Sequence, residues 1–364
     1  MIFPSRSGAV LYLLWSVCMI GLLAGCAPDR DPLPSPAETD AAAHAPYPLG
    51  LAADRMQRAR DRADTLPNLQ ALMVARHGQV ELAHRANGPS LSTPVNVKSV
   101  SKSVLSALVG IAIEKGHLEG VDQRIAPFFE EYLSEDSDPR KRDITVGDLL
   151  SMRSGLQRTS GSNYGAWVSS SNWVRNALQR PMQSDPGTER SYSTGNSHLL
   201  SAVLTQATGQ STWAFAQEHL AEPMGMALPQ WMADPQGIYF GGNDMRISAR
   251  GLLAFGEMYR NGGWYNGQRV VPQDWVRASW VERSQSRWSG AGYGYSWFTR
   301  REQGHRMHYG WGYGGQYVFI VPTLELTIVA TSQPYASGGR QHRRRLQAIV
   351  TEEIIPAAEQ GTGG

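Results

Sequence analysis

Val97-Lys98-Ser99-Val100-Ser101-Lys102-Ser103-Val104-Leu105 sets the reading of the whole chain. The apolar residues that follow, Leu108, Val109, Ile111, Ala112 and Ile113, continue it as a buried helix running to about Lys115, where Gly116 stops it. Ser99 and Lys102 are three residues apart, so on a helix they share a face. A serine hydroxyl is a weak nucleophile at neutral pH, and a desolvated, partly neutral amine beside it can take its proton. The start of a helix adds unpaired N–H groups, which suit an oxyanion forming at Ser99. An S-x-x-K by itself also describes a helix start with a capping serine and an exposed lysine. The background sharpens it: the chain has four lysines, Lys98, Lys102, Lys115 and Lys141, and only Lys102 follows a serine at this spacing.

The chain has 364 residues and a formal net charge of +2, so nothing in its charge points to nucleic acid. Arg6, an apolar run from Ala9 to Leu23, and Leu23-Ala24-Gly25-Cys26 together read as a lipoprotein signal, with residues 1–25 removed and Cys26 lipidated. A signal anchor, or an ordinary signal peptide that happens to contain a cysteine, is the alternative. With Cys18 removed and Cys26 carrying lipid, no thiol is left for a disulfide, a metal or catalysis. Ala27, rather than an aspartate, follows the cysteine; by resemblance to Gram-negative sorting signals this implies the periplasmic face of the outer membrane. Residues 26–49, rich in Pro, Ala and Asp, read as a flexible tether. The remainder, 50–360, reads as one hydrolase domain.

Leu51 to Thr65 has helical composition. Leu69–Arg76 and Gln79–His84 flank His77-Gly78 as a hairpin, with His77 and His84 on the strand surface rather than as metal ligands. A mostly helical middle, about 120–280, follows. In it Thr145 caps a helix, and the segment from Gly161 to Pro181 carries Tyr164, Trp167 and Trp173. That segment is either a flap over a site or a surface loop with a helix anchored by its tryptophans; the second is the simpler reading. After Arg283 the pattern becomes strand-like at Tyr293–Thr299, Gly315–Val321 and Leu326–Thr331, and 340–355 closes the chain as a helix. The expected fold is α+β: an antiparallel sheet flanked by helices, a mostly helical second lobe, and a cleft between them with Ser99 at its floor.

The motifs together resemble serine β-lactamases of the class C type and penicillin-binding proteins, and above all the esterase and amidase branch that includes 6-aminohexanoate-dimer hydrolases. The matching pieces are Ser99-Val100-Ser101-Lys102, Ile144-Thr145-Val146-Gly147-Asp148-Leu149-Leu150 with Ser154-Gly155-Leu156, and Pro186-Gly187 with Tyr192-Ser193-Thr194-Gly195-Asn196. Further on come Phe240-Gly241-Gly242, Tyr293-Gly294-Tyr295 with Trp297, and Gly312-Tyr313-Gly314-Gly315-Gln316. The resemblance implies that Ser99 is acylated, that Lys102 helps to deprotonate it, and that Tyr192 relays a proton to the leaving group. It implies no cofactor and no metal, and a small ester or amide as substrate. Thr194 stands where the family's Y-x-N motif has asparagine, and Asn196 lies two residues on; both are expected to contact substrate. The family's K-T-G strand motif has no match, because no lysine follows Lys141. That removes the ammonium with which β-lactamases hold the substrate carboxylate and argues against efficient β-lactam hydrolysis. The corresponding stretch is His308 to Gly315. Gly314 or Gly315 is the expected backbone donor to the oxyanion, since glycine permits close approach. Trp311 and Tyr164 are expected pocket walls. Two other hydrolase types lack their signatures, since neither H-E-x-x-H nor G-x-S-x-G occurs. A reading from a different class stays open: a membrane-tethered, non-catalytic protein that grips peptidoglycan or a protein partner.

Overall fold

The computed structural model describes residues 50–133, 138–287 and 289–360. The signal, Cys26 and the tether lie outside the described residues. Helix α1 (Ala53–Asp64) precedes the hairpin of β1 (Leu69–Arg76) and β2 (Gln79–Arg85). His77 and Gly78 both have positive φ, 50° and 83°, as a two-residue turn matched to the strand twist requires. Next come β3 (Val95–Asn96), a 3-10 turn at Lys98–Val100, and α2 (Ser101–Glu114). The middle holds α3 (Val146–Leu150), α4 (Tyr164–Val168), α5 (Trp173–Leu178), α6 (Thr194–Thr208) and α7 (Thr212–Ala216). It continues through β4 (Arg246–Ile247), α8 (Ala249–Arg260), β5 (Trp264–Tyr265), β6 (Gln268–Arg269) and α9 (Gln273–Trp280). The chain closes with β7 (Ser284–Gln285), β8 (Gly292–Tyr293), β9 (Phe298–Glu302), β10 (His305–Gly312), β11 (Gln316–Val321), β12 (Leu326–Ser332), α10 (Gly339–Ile349) and α11 (Ile355–Gln360).

Eight strands form one sheet in the order β2-β1-β12-β11-β10-β9-β8-β7, and every neighbouring pair in it is antiparallel. The first hairpin therefore joins the last strand through β1 and β12. Both faces are covered, which explains the continuous apolar runs of β11 and β12. Tyr317, Phe319 and Val321 pack with α1 and α10 residues such as Met56 and Leu346, while Val318 and Ile320 pack on the other side with α2 and α8. Each such side chain, fully buried, contributes roughly 1.5–3 kcal/mol of transfer free energy.

Several expected boundaries hold within a residue or two. Thr145 caps α3 through a reciprocal pair: its hydroxyl accepts from the Asp148 N–H at 3.1 Å, and its own N–H donates to Asp148 Oδ2 at 3.0 Å. The Gly161–Pro181 segment follows the simpler reading, with α4 and α5 held by the buried Trp167 and Trp173. Two expectations change. His84 is buried and pairs with Asp64 at 2.9 Å instead of lying on the strand surface. The strand expected at Tyr293–Thr299 is split into β8 and the start of β9, and β10 is an additional strand. β10 escapes a side-chain pattern because Gly310 and Gly312 serve backbone packing. A Cβ on Gly310 would meet Ser103 Oγ at 2.9 Å, and one on Gly312 would meet the Val97 carbonyl oxygen at 2.4 Å. Glycine inside a strand here marks close approach to the turn that carries Ser99.

Candidate active site

Ser99 lies in the turn Lys98–Val100, just before α2. Lys98 adopts φ +50°, a conformation few non-glycine residues take. The surroundings hold it there. Its N–H donates to Asn96 Oδ1 at 2.9 Å, and its buried ammonium donates to Asp244 Oδ1 at 2.9 Å and to the Tyr335 phenol. Burial pulls the Lys98 amine downward, but Tyr335 and Asp244 outweigh it and leave the pKa raised, so this lysine is a fixed cation. Ser101 Oγ donates to the Lys98 carbonyl and accepts from the Met245 N–H at 3.2 Å. The β3–β4 ladder, Val95↔Ile247 and Asn96↔Arg246, ties the same two segments together. The nucleophile's turn is thus braced by a chain segment about 140 residues downstream.

Lys102, in the first turn of α2, is 2% exposed. Its Nζ lies 3.1 Å from Ser99 Oγ, 2.6 Å from the Gly242 carbonyl oxygen and 3.4 Å from Thr194 Oγ1. Burial drives the amine's pKa below its ordinary value, opposed by Tyr192 and, more distantly, Asp244. A neutral amine has two N–H bonds and one lone pair. With Gly242 and Thr194 accepting the two N–H bonds, the lone pair faces Ser99, which is what a general base for that hydroxyl needs.

Tyr192 packs its ring 5.0 Å from Lys102 Nζ, measured to the centroid. Its position follows from how α6 begins. The Thr194 N–H donates to Ser160 Oγ at 2.9 Å, and the Gly195 N–H donates to Thr159 Oγ1 at 2.8 Å. These two hydroxyls satisfy orphan donors of the first turn and fix the residues just before it. Ser99, Lys102, Tyr192 and Thr194 therefore meet.

The other expected residues divide. Tyr164 is half-buried, and its phenol accepts from Asn243 Nδ2 at 2.9 Å, next to the partner of Lys98. Trp311 is half-buried between Phe298, 6.4 Å away between centroids, and the Arg343 guanidinium at 5.2 Å. Asn196 is turned inward, 2% exposed, and accepts from Ser154 Oγ at 3.1 Å. It ties α6 to the turn after α3, which corrects its expected contact with substrate. The expectation for Gly314 and Gly315 is also corrected. The Gly315 N–H closes a turn onto the Gly312 carbonyl at 3.3 Å, and a Cβ on Gly314 would meet Pro334 Cα at 2.4 Å. Both belong to the β10–β11 turn, one step beyond the part of the strand that touches the nucleophile's turn. That part is Gly310 to Gly312, where pairing with β9 has ended at Tyr309↔Phe298. His308 is buried, stacked on Trp280 at 4.1 Å and bonded to Thr299 Oγ1 at 2.9 Å, a structural role.

Sequence reasoning missed Lys98, Asn243, Asp244 and the role of Gly242. The available signal was the pair Gly241-Gly242, which forms a turn packed closely against Ser197 and Lys102. A Cβ on Gly242 would meet Lys102 Nζ at 3.0 Å, so that glycine admits the amine. Among the described residues no three His, Cys, Asp or Glu side chains cluster as metal ligands. An open groove of about 770 Å³ runs beside the start of α10, lined by Arg62, Arg340, Arg344 and Arg345, and contains none of the site residues.

Solved structures with the same fold include a Bacillus anthracis protein provisionally named 6-aminohexanoate-dimer hydrolase. It is 20% identical over 80% of this chain and 79% of its own, with a TM-score of 0.67. EstCE1, described as a hydrolase with promiscuous acyltransferase activity, is 19% identical over 81% and 98%, with a TM-score of 0.66. A class C β-lactamase from Rhodobacter sphaeroides is 16% identical over 83% and 99%, with a TM-score of 0.63. A sequence model described as Beta-lactamase matches residues 68–352, most of the described chain and all of the site above. With that match on this sheet and this serine–lysine pair, the chain belongs to the β-lactamase family of serine hydrolases.

Proposed function

We propose that this protein cleaves an ester or amide bond through an acyl-enzyme on Ser99. One observation carries the reading: the buried Lys102 amine, 3.1 Å from Ser99 Oγ, has acceptors for its N–H bonds in Gly242 and Thr194. Lys102 takes the hydroxyl proton as Ser99 Oγ bonds to the carbonyl carbon. Tyr192, against the same amine, passes a proton to the departing alcohol or amine. Water then repeats the sequence on the acyl-enzyme. The oxyanion is met by the Ser99 N–H and by an N–H on the Gly310–Gly312 edge. No step calls for a cofactor.

The test is intact-protein mass after a fluorophosphonate probe, together with p-nitrophenyl ester turnover. The parent gains one adduct; Ser99→Ala gains none and loses turnover by about 10³-fold or more. A Ser99→Ala protein that labels and turns over like the parent ends the proposal. A parent that acylates once and never cycles favours the binding-protein alternative. From Leu23–Cys26 alone we also propose a lipid anchor at Cys26, facing the periplasm from the outer membrane. Metabolic labelling with a fatty-acid analogue checks it: label that persists in Cys26→Ser rules it out.

A further inference from the structure

Arg190 stands two residues before Tyr192, and the reaction scheme above gives it no part. It is half-buried among rings. Its guanidinium carbon lies 4.5 Å from the Tyr293 centroid, 5.8 Å from that of Phe298 and 5.8 Å from that of Tyr192. Its Nε is shut away from solvent with no acceptor. The neighbouring acid, Glu189, is turned to Arg287 at 3.5 Å. Among the described residues no carboxylate forms an ion pair with Arg190, and its contacts are the rings of Tyr293, Phe298 and Tyr192. A guanidinium withdrawn from water ordinarily has an acid to pair with, because the desolvation is otherwise uncompensated. Aromatic faces recover part of that cost and leave the hydrogen-bonding fork unused.

The position gives that unused fork a purpose. The Tyr192 ring has Lys102 Nζ at 5.0 Å and Arg190 at 5.8 Å, so Arg190 is one ring removed from the reacting groups. Phe298, which Arg190 also touches, packs against Trp311, the half-buried ring at the nucleophile's strand. The family's strand lysine is absent from this chain, and the guanidinium that does reach Trp311, Arg343, lies over that ring at 5.2 Å with its Nε given to the Gly339 carbonyl.

We propose that Arg190 is the anion-recognition residue of this site, and that the natural substrate is an ester or amide bearing a carboxylate a few atoms from the scissile carbonyl. The proposal rests on the acyl-enzyme reading for its chemistry. The planar fork of Arg190 takes the carboxylate, in two parallel N–H···O bonds where the approach allows, and orients the carbonyl toward Ser99.

The test compares two esters of equal chain length on the full-length protein: the p-nitrophenyl monoester of adipic acid, which is anionic, and p-nitrophenyl hexanoate, which is neutral. The readout is the ratio of their kcat/KM values. In the parent the ratio favours the anionic ester. In Arg190→Gln it falls by about tenfold or more, carried mainly by KM. In Arg190→Lys, which keeps the charge and loses the fork, it falls by less. A ratio unchanged in Arg190→Gln overturns the proposal. A second measurement needs no turnover: adipate, at ionic strength held constant with sodium chloride, raises the Tm of the parent but not of Arg190→Gln. Equal shifts, or none in either, overturn it. If the parent cleaves neither ester, the acyl-enzyme reading fails, and the adipate shift still decides the role of Arg190.

Discussion

Lys102 is the residue in which reactivity and stability oppose each other. Burial lowers its pKa, which favours the neutral amine that Ser99 needs as a base. Lys102→Met keeps the length of the side chain and removes the base. Ester turnover is expected to fall by about 10²–10⁴-fold, the usual range for a lost general base. The same substitution changes how stability depends on pH. The folded-state pKa of Lys102 lies below the unfolded value, so between the two the unfolded chain binds more protons. Parent stability therefore rises with pH through that window, up to the unfolded value of about 10.5. The variant has no such slope. The difference in Tm, variant minus parent, should fall as pH rises toward the unfolded value in thermal scans. A constant difference would mean that Lys102 is charged throughout.

At the scale of elements, β10 shows what a sequence reveals and what it conceals. The S-x-x-K pair was legible because it is local: three residues on a helix are neighbours whatever the fold. Thr145 as a cap and the His77-Gly78 turn were legible for the same reason. Tyr192 was legible through motif order. The brace from Asp244 and Met245, and the carbonyl of Gly242, were not, because nothing in a single sequence says that residues 140 to 148 apart touch. β10 was hidden differently. Alternation reports where side chains go, and Gly310 and Gly312 are there so that none intervenes. The same blindness placed the expected oxyanion donor at Gly314–Gly315, in the turn just past the contact. Gly312→Ala tests this. Its Cβ would stand 2.4 Å from the Val97 carbonyl oxygen, a backbone atom with little room to yield, so strand and turn must separate. A displacement of about 1 Å near a nucleophile can cost roughly 10²-fold in rate. We expect kcat to fall at least tenfold in a protein that still folds, as circular dichroism and gel filtration would show. Unchanged kcat would remove β10 from the site.

For the whole molecule, the buried histidines set a limit on the acid side. His308, stacked on Trp280 away from solvent, has its pKa pushed down to about 3, chiefly by burial and then by Arg306. Burial lowers His84, His219 and His342 as well. The unfolded chain takes up these protons near pH 6.5 and the folded chain only at lower pH. Stability is therefore fully present above about pH 6.5 and is lost progressively as pH falls toward 3. Tm should drop steeply between pH 6.5 and 4, and His308→Gln should flatten the drop. An equally steep loss in that variant would assign it to other groups. His308 is also neutral throughout the working range, so it adds no limb to the pH–rate profile.

Every residue of α2 from Ser101 to Ala112 is buried, and the turn that carries Ser99 is continuous with it. Local fraying, which loosens the loop-borne sites of many enzymes well before they melt, has no purchase here. Amide protons along this helix should exchange with deuterium only through global opening. Heat inactivation and loss of tertiary structure should then share one midpoint: the catalyst fails when its interior does, and not before.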